Sequence, residues 1–420
     1  MRVLVLHNAY RHFGGEDAAV ARERMLLEAH GHDVRFYGVS NTEVRRLWDR
    51  VTAAVQVPYA PGARARLARE IDRVRPDVVH VHNFFPLLSP SVYDACRAAG
   101  VSVVQTLHNY RLLCLNAVLF RDGHSCEDCV GKSVPWPGVI HGCYLGSRLA
   151  SGTVAAMLVL HRILKTWAGK VDVFITPSEY ARRQLVVGGL PAGKLTVKPN
   201  FVHPDPGTGA HAGGYVLYVG RLSREKGVET LLAAWEILGA RVPLKIVGEG
   251  PLDAAVARAA SPASGISWEG PQPPERTLRL MQDARALIFP SLLVEVLPTV
   301  VVEAFATGLP VIAATGGSAA SMVADRQTGL HAAAGDPVDL AAKVAWLWDH
   351  PAEAGAMGRT ARSEFERTYT AERNYELLVE IYALAIRRAG ARRTRPRGAI
   401  NPPAQQCDVS VSSVSNARRV

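Results

Sequence analysis

Short apolar runs bounded by turn residues alternate with amphipathic stretches along this chain, and the alternation happens twice. Strands are expected over 3–6, 32–37, 77–81, 101–107 and 171–176, and a further apolar run, 195–198, precedes Pro199-Asn200. Helices are expected over 16–29 and 91–99, and another opens at Pro177-Ser178-Glu179, where Ser178 suits a cap. Residues 205–214, rich in Pro, Gly and His, read as a linker, and then the pattern restarts. Strands follow over 215–219, 244–247, 266–268, 286–289 and 311–313, with helices over 228–238, 252–260, 275–282 and 299–307. Strand–helix alternation forces parallel sheets, because each crossover lays a helix on a sheet face. The expected fold class is therefore α/β, two doubly wound (Rossmann-like) domains facing across a cleft, and 420 residues are enough for two cores. The N-terminal domain is expected over 1–204 with an irregular insert at about 109–148, and the C-terminal domain over 215–370. A closing helix over 371–390 carries Tyr375, Leu378, Val379 and Tyr382 on one face.

The net charge of +10 is unevenly distributed. Residues 391–420 hold six Arg against Asp408 alone, so half of it lies in a Pro/Ser-containing tail expected to be disordered. The remainder is too small to argue for nucleic acid. Eight Arg fall between Thr42 and Arg75 against four acids, with Leu67, Ile71 and Val74 at helical spacing. That pattern is a solvated helix face, or else a peripheral contact with an anionic membrane surface. Residues 3–6 enter a Gly loop without a secretory apolar region, and the apolar stretch 149–160, interrupted by Ser151, Gly152 and Thr153, is too short to span a bilayer. A cytoplasmic location with reduced cysteines is expected.

Chemistry concentrates at expected strand ends. Gly14-Gly15-Glu16-Asp17, after Phe13, opens a helix where backbone N–H groups can meet a phosphate or sugar. Arg221 and Lys226 flank a tight turn, Gly220 to Gly227, after the first strand of the second unit, and two cations there suit a diphosphate. Pro298 begins a helix that Gly308-Leu309-Pro310 stops, so Glu295 precedes a helix N-terminus and Glu303 lies about 7 Å along the axis from Pro298. Two carboxylates flanking those amides can read hydroxyls on either side of a bound phosphate. His80 and His82 share one face of their strand, and His108 stands at the end of the next. His108 reads either as a functional group or as a sheet cap, and His82 is left open.

Gly220-Arg221 with Lys226-Gly227, Val247-Gly248-Glu249-Gly250-Pro251, Pro290-Ser291, and Glu295 seven residues before Glu303 together resemble the family 4 retaining glycosyltransferases of GT-B architecture. The resemblance covers most of residues 1–388. It implies a C-terminal domain that binds a nucleotide-diphosphate sugar and an N-terminal domain that binds a glycan or lipid-linked acceptor. It further implies that Glu303 accepts the ribose hydroxyls, that Arg221 and Lys226 hold the pyrophosphate, and that Glu295 contacts the sugar. Thr299 and Val300 are assigned to the same donor site. Gly248, Glu249 and Gly250 would lie near the nucleotide. Gly15, beside Gly14, would approach the donor phosphate, and His108 would face the sugar. The family usually places Gly after the first glutamate, where this chain has Val296. No Asp-x-Asp pair occurs, so no catalytic metal is expected. A dehydrogenase is disfavoured because no G-x-G-x-x-G follows either first strand. A nucleotide-sugar epimerase of the same architecture and a catalytically silent nucleotide-sugar-binding partner remain as alternatives.

Cys114, Cys126, Cys129 and Cys143 fall in the insert, with Cys126 and Cys129 as a C-x-x-C pair. A long irregular loop needs a staple, and structural zinc, an iron–sulfur cluster, or four unconnected thiols are the readings open here.

Overall fold

A computed structural model describes residues 1–10, 14–43 and 47–394; the expectations for Phe13, Arg45, Arg46 and residues 395–420 lie outside them. In the N-terminal half, β1 (Arg2–Ala9), β2 (Asp33–Ser40), β3 (Val78–Asn83) and β4 (Ser102–Thr106) are followed by a small hairpin of β5 (Phe120–Arg121) and β6 (His124–Ser125). Then come β7 (Val173–Thr176) and β8 (Leu195–Val197), and the sheet order is β2-β1-β3-β4-β7-β8, every pair parallel. The C-terminal half has β9 (Val216–Val219), β10 (Leu244–Val247), β11 (Ile266–Gly270), β12 (Leu287–Phe289), β13 (Val311–Ala314) and β14 (Gly329–Ala332). These are likewise parallel, in the order β11-β10-β9-β12-β13-β14. Both are doubly wound sheets, as the alternation requires.

Strand order reverses between β1 and β3 in the first sheet and between β9 and β12 in the second. At such a switch point the connections leave for opposite faces and open a crevice beyond the strands' carboxyl ends. The loops there are those after β1 and β3 and those after β9 and β12, and they bear the Gly14-Gly15, Lys226 and Glu295 segments. The strands are buried on both faces: residues 3–8 of β1 and all of β3 and β4 are inaccessible.

Three expectations are corrected. Residues 205–214 are not a free linker, because Gly209, His211 and Gly213 donate backbone hydrogen bonds to Thr307, Gln282 and Asp283 and lie along the C-terminal half. The insert, expected to need a staple, buries apolar surface of its own: Leu112, Leu113, Leu115 and Leu119 join the N-terminal core, and a short helix, Trp136–Ile140, forms part of it. These leucines have no regular period, so they read as loop. The closing helix runs Ala371–Thr394, past the expected end, and crosses back to the first sheet. There Leu378, Ile381, Tyr382 and Ala385 pack on Val3, Val5, Val78 and Val104.

The Arg-rich segment forms the helix Pro61–Val74, with Leu67, Ile71 and Val74 inward and Arg64, Arg66, Arg69 and Arg73 exposed. Arg73 pairs with Glu70 and Arg75 with Asp72. No helix of the described residues is long and apolar enough to cross a membrane.

One glycine fixes how the two switch-point loops of the second sheet meet. Gly227 has φ +75°, and a Cβ there would stand 2.0 Å from the Pro290 carbonyl oxygen. Gly227→Ala is expected to destabilise the fold by about 1–3 kcal/mol through strain and backbone overlap. Denaturant melting tests this, and an unchanged midpoint would show that the two loops are not in contact.

Candidate active site

A cavity of about 530 Å³ opens between the two sheets. The first half contributes Gly15, Glu16 and His108; the second contributes Gly220, Lys226, Glu295, Thr299 and Val300 among others. Six of the residues singled out from sequence therefore share one space: Gly15, His108, Lys226, Glu295, Thr299 and Val300. A Cβ on Gly15 would meet nothing within 4 Å, so the backbone at the start of the helix Gly15–Ala29 faces open cleft. The helix Thr299–Thr307 points its N-terminus into the same space, and its first amides lack intrahelical partners.

Glu295 and Lys226 form an ion pair with Oε1 and Nζ 2.6 Å apart, and Ser291 Oγ lies 3.3 Å from the same oxygen. Both side chains are partly exposed to the cavity. The loop that carries Glu295 is held from the opposite domain. Val294 and Val296 are buried in the N-terminal apolar core, and Ser178 Oγ donates to the Val296 carbonyl at 2.5 Å. Val296, which replaces the usual glycine, thus serves as an interdomain anchor, with its side chain directed into the apolar core.

Glu303 stands further along the helix, where Arg22 Nη2 of the first domain approaches its Oε1 to 3.6 Å. Burial raises the Glu303 carboxyl, and Arg22 opposes that rise. Arg221 does not line the cavity, and its side chain is exposed, since the turn after β9 directs it outward while Gly220 faces in. Gly248, Glu249 and Gly250 also lie off the cavity wall. Their turn packs on the 220–222 turn: Leu222 N donates to Glu249 O at 2.9 Å, and a Cβ on Gly248 would stand 1.9 Å from Gly220 O. Those glycines are required by loop-on-loop contact. Gly14 lines a second, larger cavity on the N-terminal side.

His108 borders both cavities and ends a buried chain. Its Nε2 lies 2.9 Å from His82 Nδ1; His82 Nε2 lies 3.3 Å from Glu23 Oε1; Glu23 Oε2 lies 2.8 Å from Lys198 Nζ. Burial would raise the Glu23 carboxyl, but Lys198 and His80 outweigh it and hold the group well below its ordinary range. Burial, reinforced by His80, presses His82 down to about 3, so it is neutral. Burial likewise lowers His108 well below its ordinary value. His82 Nε2 and Glu23 Oε1 fall short of a hydrogen bond, each being buried without a partner, but the nearby carboxylate favours the proton on Nε2. His82 Nδ1 then accepts from His108 Nε2–H, which leaves His108 Nδ1 as an acceptor for a hydroxyl. His80 is the structural member of the pair, bonded to Tyr382 OH and Thr106 Oγ1 at 2.8 Å each. The ligand atoms of Glu23, His80 and His82 lie within 4.8 Å of one another, the spacing of a metal site, while the other oxygen of the Glu23 carboxylate is already paired with the Lys198 ammonium.

The four insert cysteines are less drawn together. Among the described residues, Glu23, His80 and His82 are the only group of three such ligands within 4.8 Å of one another, whereas Cys114 Sγ donates to Asn116 Oδ1 at 2.9 Å. Burial raises the Cys126 and Cys143 thiols and lifts Cys129 to about 11, so all three are protonated.

Sequence reasoning named Glu16 only as part of a turn and passed over Tyr10, Asn109, Arg22, Glu23 and Lys198, because isolated polar residues carry no spacing signal. Glu16 Oε2 accepts from Tyr10 OH at 2.9 Å and Asn109 Nδ2 at 3.4 Å. Its Oε1 is buried without a hydrogen-bond partner, 3.9 Å from His7 Nδ1. Burial, with Asp17 adding to it, raises this carboxyl to about 8. A folded-state value above the unfolded one means the native protein holds the extra proton, so the stability this group contributes is present below about 4.5 and lost as pH rises toward about 8. Glu16→Gln keeps the neutral form at every pH. Its melting temperature is expected to rise relative to wild type as pH goes from 5 to 8 and to stay level above; a pH-independent difference would contradict the buried neutral acid.

Comparison with known proteins agrees with this geometry. Residues 14–206 match the family described as Glycosyltransferase Family 4, and residues 210–364 match Glycosyl transferases group 1. D-rhamnosyltransferase WbpZ of Pseudomonas aeruginosa is 32% identical over 161 residues, 37% of this chain and 42% of that protein. O-antigen chain mannosyltransferase C of Escherichia coli is 30% identical over 176 residues, 41% and 47% of the two chains, so the matches span less than half of these relatives. The structure of Anabaena HepE in complex with UDP superposes with a TM-score of 0.65 at 16% identity, covering 91% of this chain and 100% of that one, a likeness of fold. With both halves matched in order and two facing doubly wound sheets, the chain belongs to the family 4 glycosyltransferases of the GT-B fold.

Proposed function

We propose that this protein transfers a sugar, with retention of anomeric configuration and without a catalytic metal, from a nucleotide-diphosphate sugar to a glycan or lipid-linked acceptor in polysaccharide or glycan biosynthesis. The single observation that carries this reading is the shared cavity of Lys226, Glu295, His108 and the Thr299–Thr307 N-terminus at two facing switch points. The C-terminal domain would take the donor and the N-terminal domain the acceptor. Sugar transfer is also what the names of both relatives describe, of rhamnose for WbpZ and of mannose in an O-antigen chain for the other.

In the reaction the bond from the anomeric carbon to the diphosphate oxygen breaks, and a bond to the acceptor oxygen forms on the same face. The acceptor's proton passes to the departing diphosphate, and the nucleoside diphosphate leaves. Negative charge grows on that diphosphate, so fixed positive groups beside it act most strongly in the transition state. Lys226 would leave Glu295 for the phosphates, and Glu295 would then be free to accept sugar hydroxyls. The helix N-terminus adds backbone donors without a metal ion. Glu303, released from Arg22, would accept the ribose hydroxyls, and Arg221 would turn inward over the pyrophosphate. His108 Nδ1 would accept from a sugar hydroxyl, its orientation set by His82 and Glu23. The anchored Val296 argues against a silent binding partner, because its side chain leaves the sugar-facing side of the loop clear. The exposed arginines of the helix Pro61–Val74 support peripheral contact with the cytoplasmic membrane face.

A structural metal held by Cys114, Cys126, Cys129 and Cys143 is also proposed, on the C-x-x-C spacing and their placement in one insert. The thiols would lose their protons and close to coordination distance on binding. Elemental analysis of purified protein is expected to find stoichiometric zinc; finding neither zinc nor iron rejects the site.

Lys226→Ala is expected to lower turnover by roughly 10²-fold or more. Arg221→Ala should lose at least about tenfold if its guanidinium reaches the transition-state charge. Turnover measured on a panel of nucleotide sugars checks both, and near-normal rates in either variant would remove that residue from the pyrophosphate. Binding without any turnover by the wild type would favour the silent partner. NMR of the product's anomeric configuration, with and without chelator, tests retention and metal independence.

A further inference from the structure

The larger cavity, about 960 Å³, lies wholly in the N-terminal domain. Its walls are Ala54 and Val57 on one side, Phe84 and Phe85 after β3, and Ala150 and Val154 of the helix Arg148–Ile163. A space of this size with a mainly apolar lining suits hydrocarbon better than a sugar, which needs hydrogen-bond partners on all sides. His82, His108, Asn109 and Arg111 stand at the end shared with the smaller cavity, and Asn41, Asn83, Gln105, Thr106 and Thr153 also line the space. His108 is shared with the smaller cavity, so that end opens toward the site of transfer.

Arg111 gives the polar end its character. Its guanidinium stacks 4.3 Å over the Phe85 ring and 5.2 Å over Tyr144, and its Nη1 donates to the Leu115 carbonyl. Among the described residues it forms no ion pair with a carboxylate, so a half-buried cation is held in place without a counter-ion. Apolar side chains stand exposed at and beside the lining: Leu145, which lines the cavity, is 78% exposed, and Leu149 and Val55, next in sequence to the lining residues Ala150 and Ala54, are 85% and 73% exposed. Leu149 stands one helical turn before Thr153, which lines the cavity. Exposed apolar side chains, a mainly apolar interior and a fixed cation thus share one cavity that adjoins the transfer site at His108.

We propose that this cavity holds the hydrocarbon chain of the acceptor, an anionic lipid-linked saccharide whose phosphate meets Arg111 and whose sugar hydroxyl reaches His108. This rests on the transferase reading and narrows it, since a free glycan would leave both the cavity and the cation unused. The exposed apolar side chains admit the chain from a bilayer surface, and the donor arrives from the other domain.

Titration of the full-length protein with dodecyl phosphate, methyl phosphate and dodecyl glucoside, each below its micellar concentration, tests the assignment. Dodecyl phosphate is expected to bind at least about 100-fold more tightly than methyl phosphate, because each buried methylene adds to affinity. Ala150→Trp and Thr153→Trp, which fill the cavity from the helix Arg148–Ile163, should each cut dodecyl phosphate affinity at least about tenfold. Arg111→Met should abolish the preference for dodecyl phosphate over dodecyl glucoside. Should the tryptophan variants fail to fold, as judged by melting, Ala54→Phe fills the space from the facing wall. Wild-type affinity for dodecyl phosphate in correctly folded filled variants overturns the proposal, and so does equal binding of the methyl and dodecyl compounds. Nucleoside diphosphate binding followed in the same protein separates the two readings. Its absence would undo the donor site and leave the alkyl result standing, while intact nucleotide binding without alkyl binding would undo the acceptor lipid alone.

Discussion

The loop from Pro290 to Pro298 is where the two domains become one site. It leaves the C-terminal sheet at its switch point, yet its Val294 and Val296 side chains are core residues of the other domain. The Ser178 hydroxyl fastens the Val296 carbonyl, and Gly227 lets the Lys226 turn lie directly on Pro290. Burying two valines contributes stabilisation of a few kcal/mol, to be set against the freedom lost by an irregular loop. The consequence is chemical. Glu295 sits between the two anchored valines, so its carboxylate faces Lys226 with little latitude.

A second constraint comes from charge buried beneath the first sheet. Glu23 and Lys198 pair in the interior, where two charges out of water need close polar neighbours, although Glu23 Oε1 keeps no hydrogen bond of its own. Asn374 of the returning C-terminal helix completes the lysine, while His80 and His82 face the glutamate. The final helix therefore does more than cover apolar strands. It closes a polar network whose far end is His108 in the cleft, and so links a distant segment of sequence to the orientation of one imidazole.

Much of the fold was legible because strand and helix periods differ and because Gly and Pro punctuate them. The helix Thr299–Thr307 and the helix Val228–Leu238 follow directly from that reading. The insert was misread for the same reason: Leu112, Leu113, Leu115 and Leu119 are core residues without a period. The helix Arg148–Ile163 was met only as an apolar stretch, although it forms a wall of the larger cavity. In the site, Lys226, Glu295 and His108 could be picked out because they stand at strand ends. Glu16, Glu23 and Arg22 could not, since their partners lie far away in sequence or across the cleft.

By itself the sequence determined two parallel sheets, the loops at their carboxyl ends and the kinds of side chain those loops carry, because periodicity and turn chemistry are local properties. Only the tertiary structure decided that Val296 would anchor in the opposite domain, that Arg221 would point outward while Lys226 turned in, and that an apolar cavity would adjoin the cleft. Those outcomes depend on packing between segments separated by tens to hundreds of residues. Such packing is set by the shape and burial of the whole molecule, and no single stretch of chain encodes it.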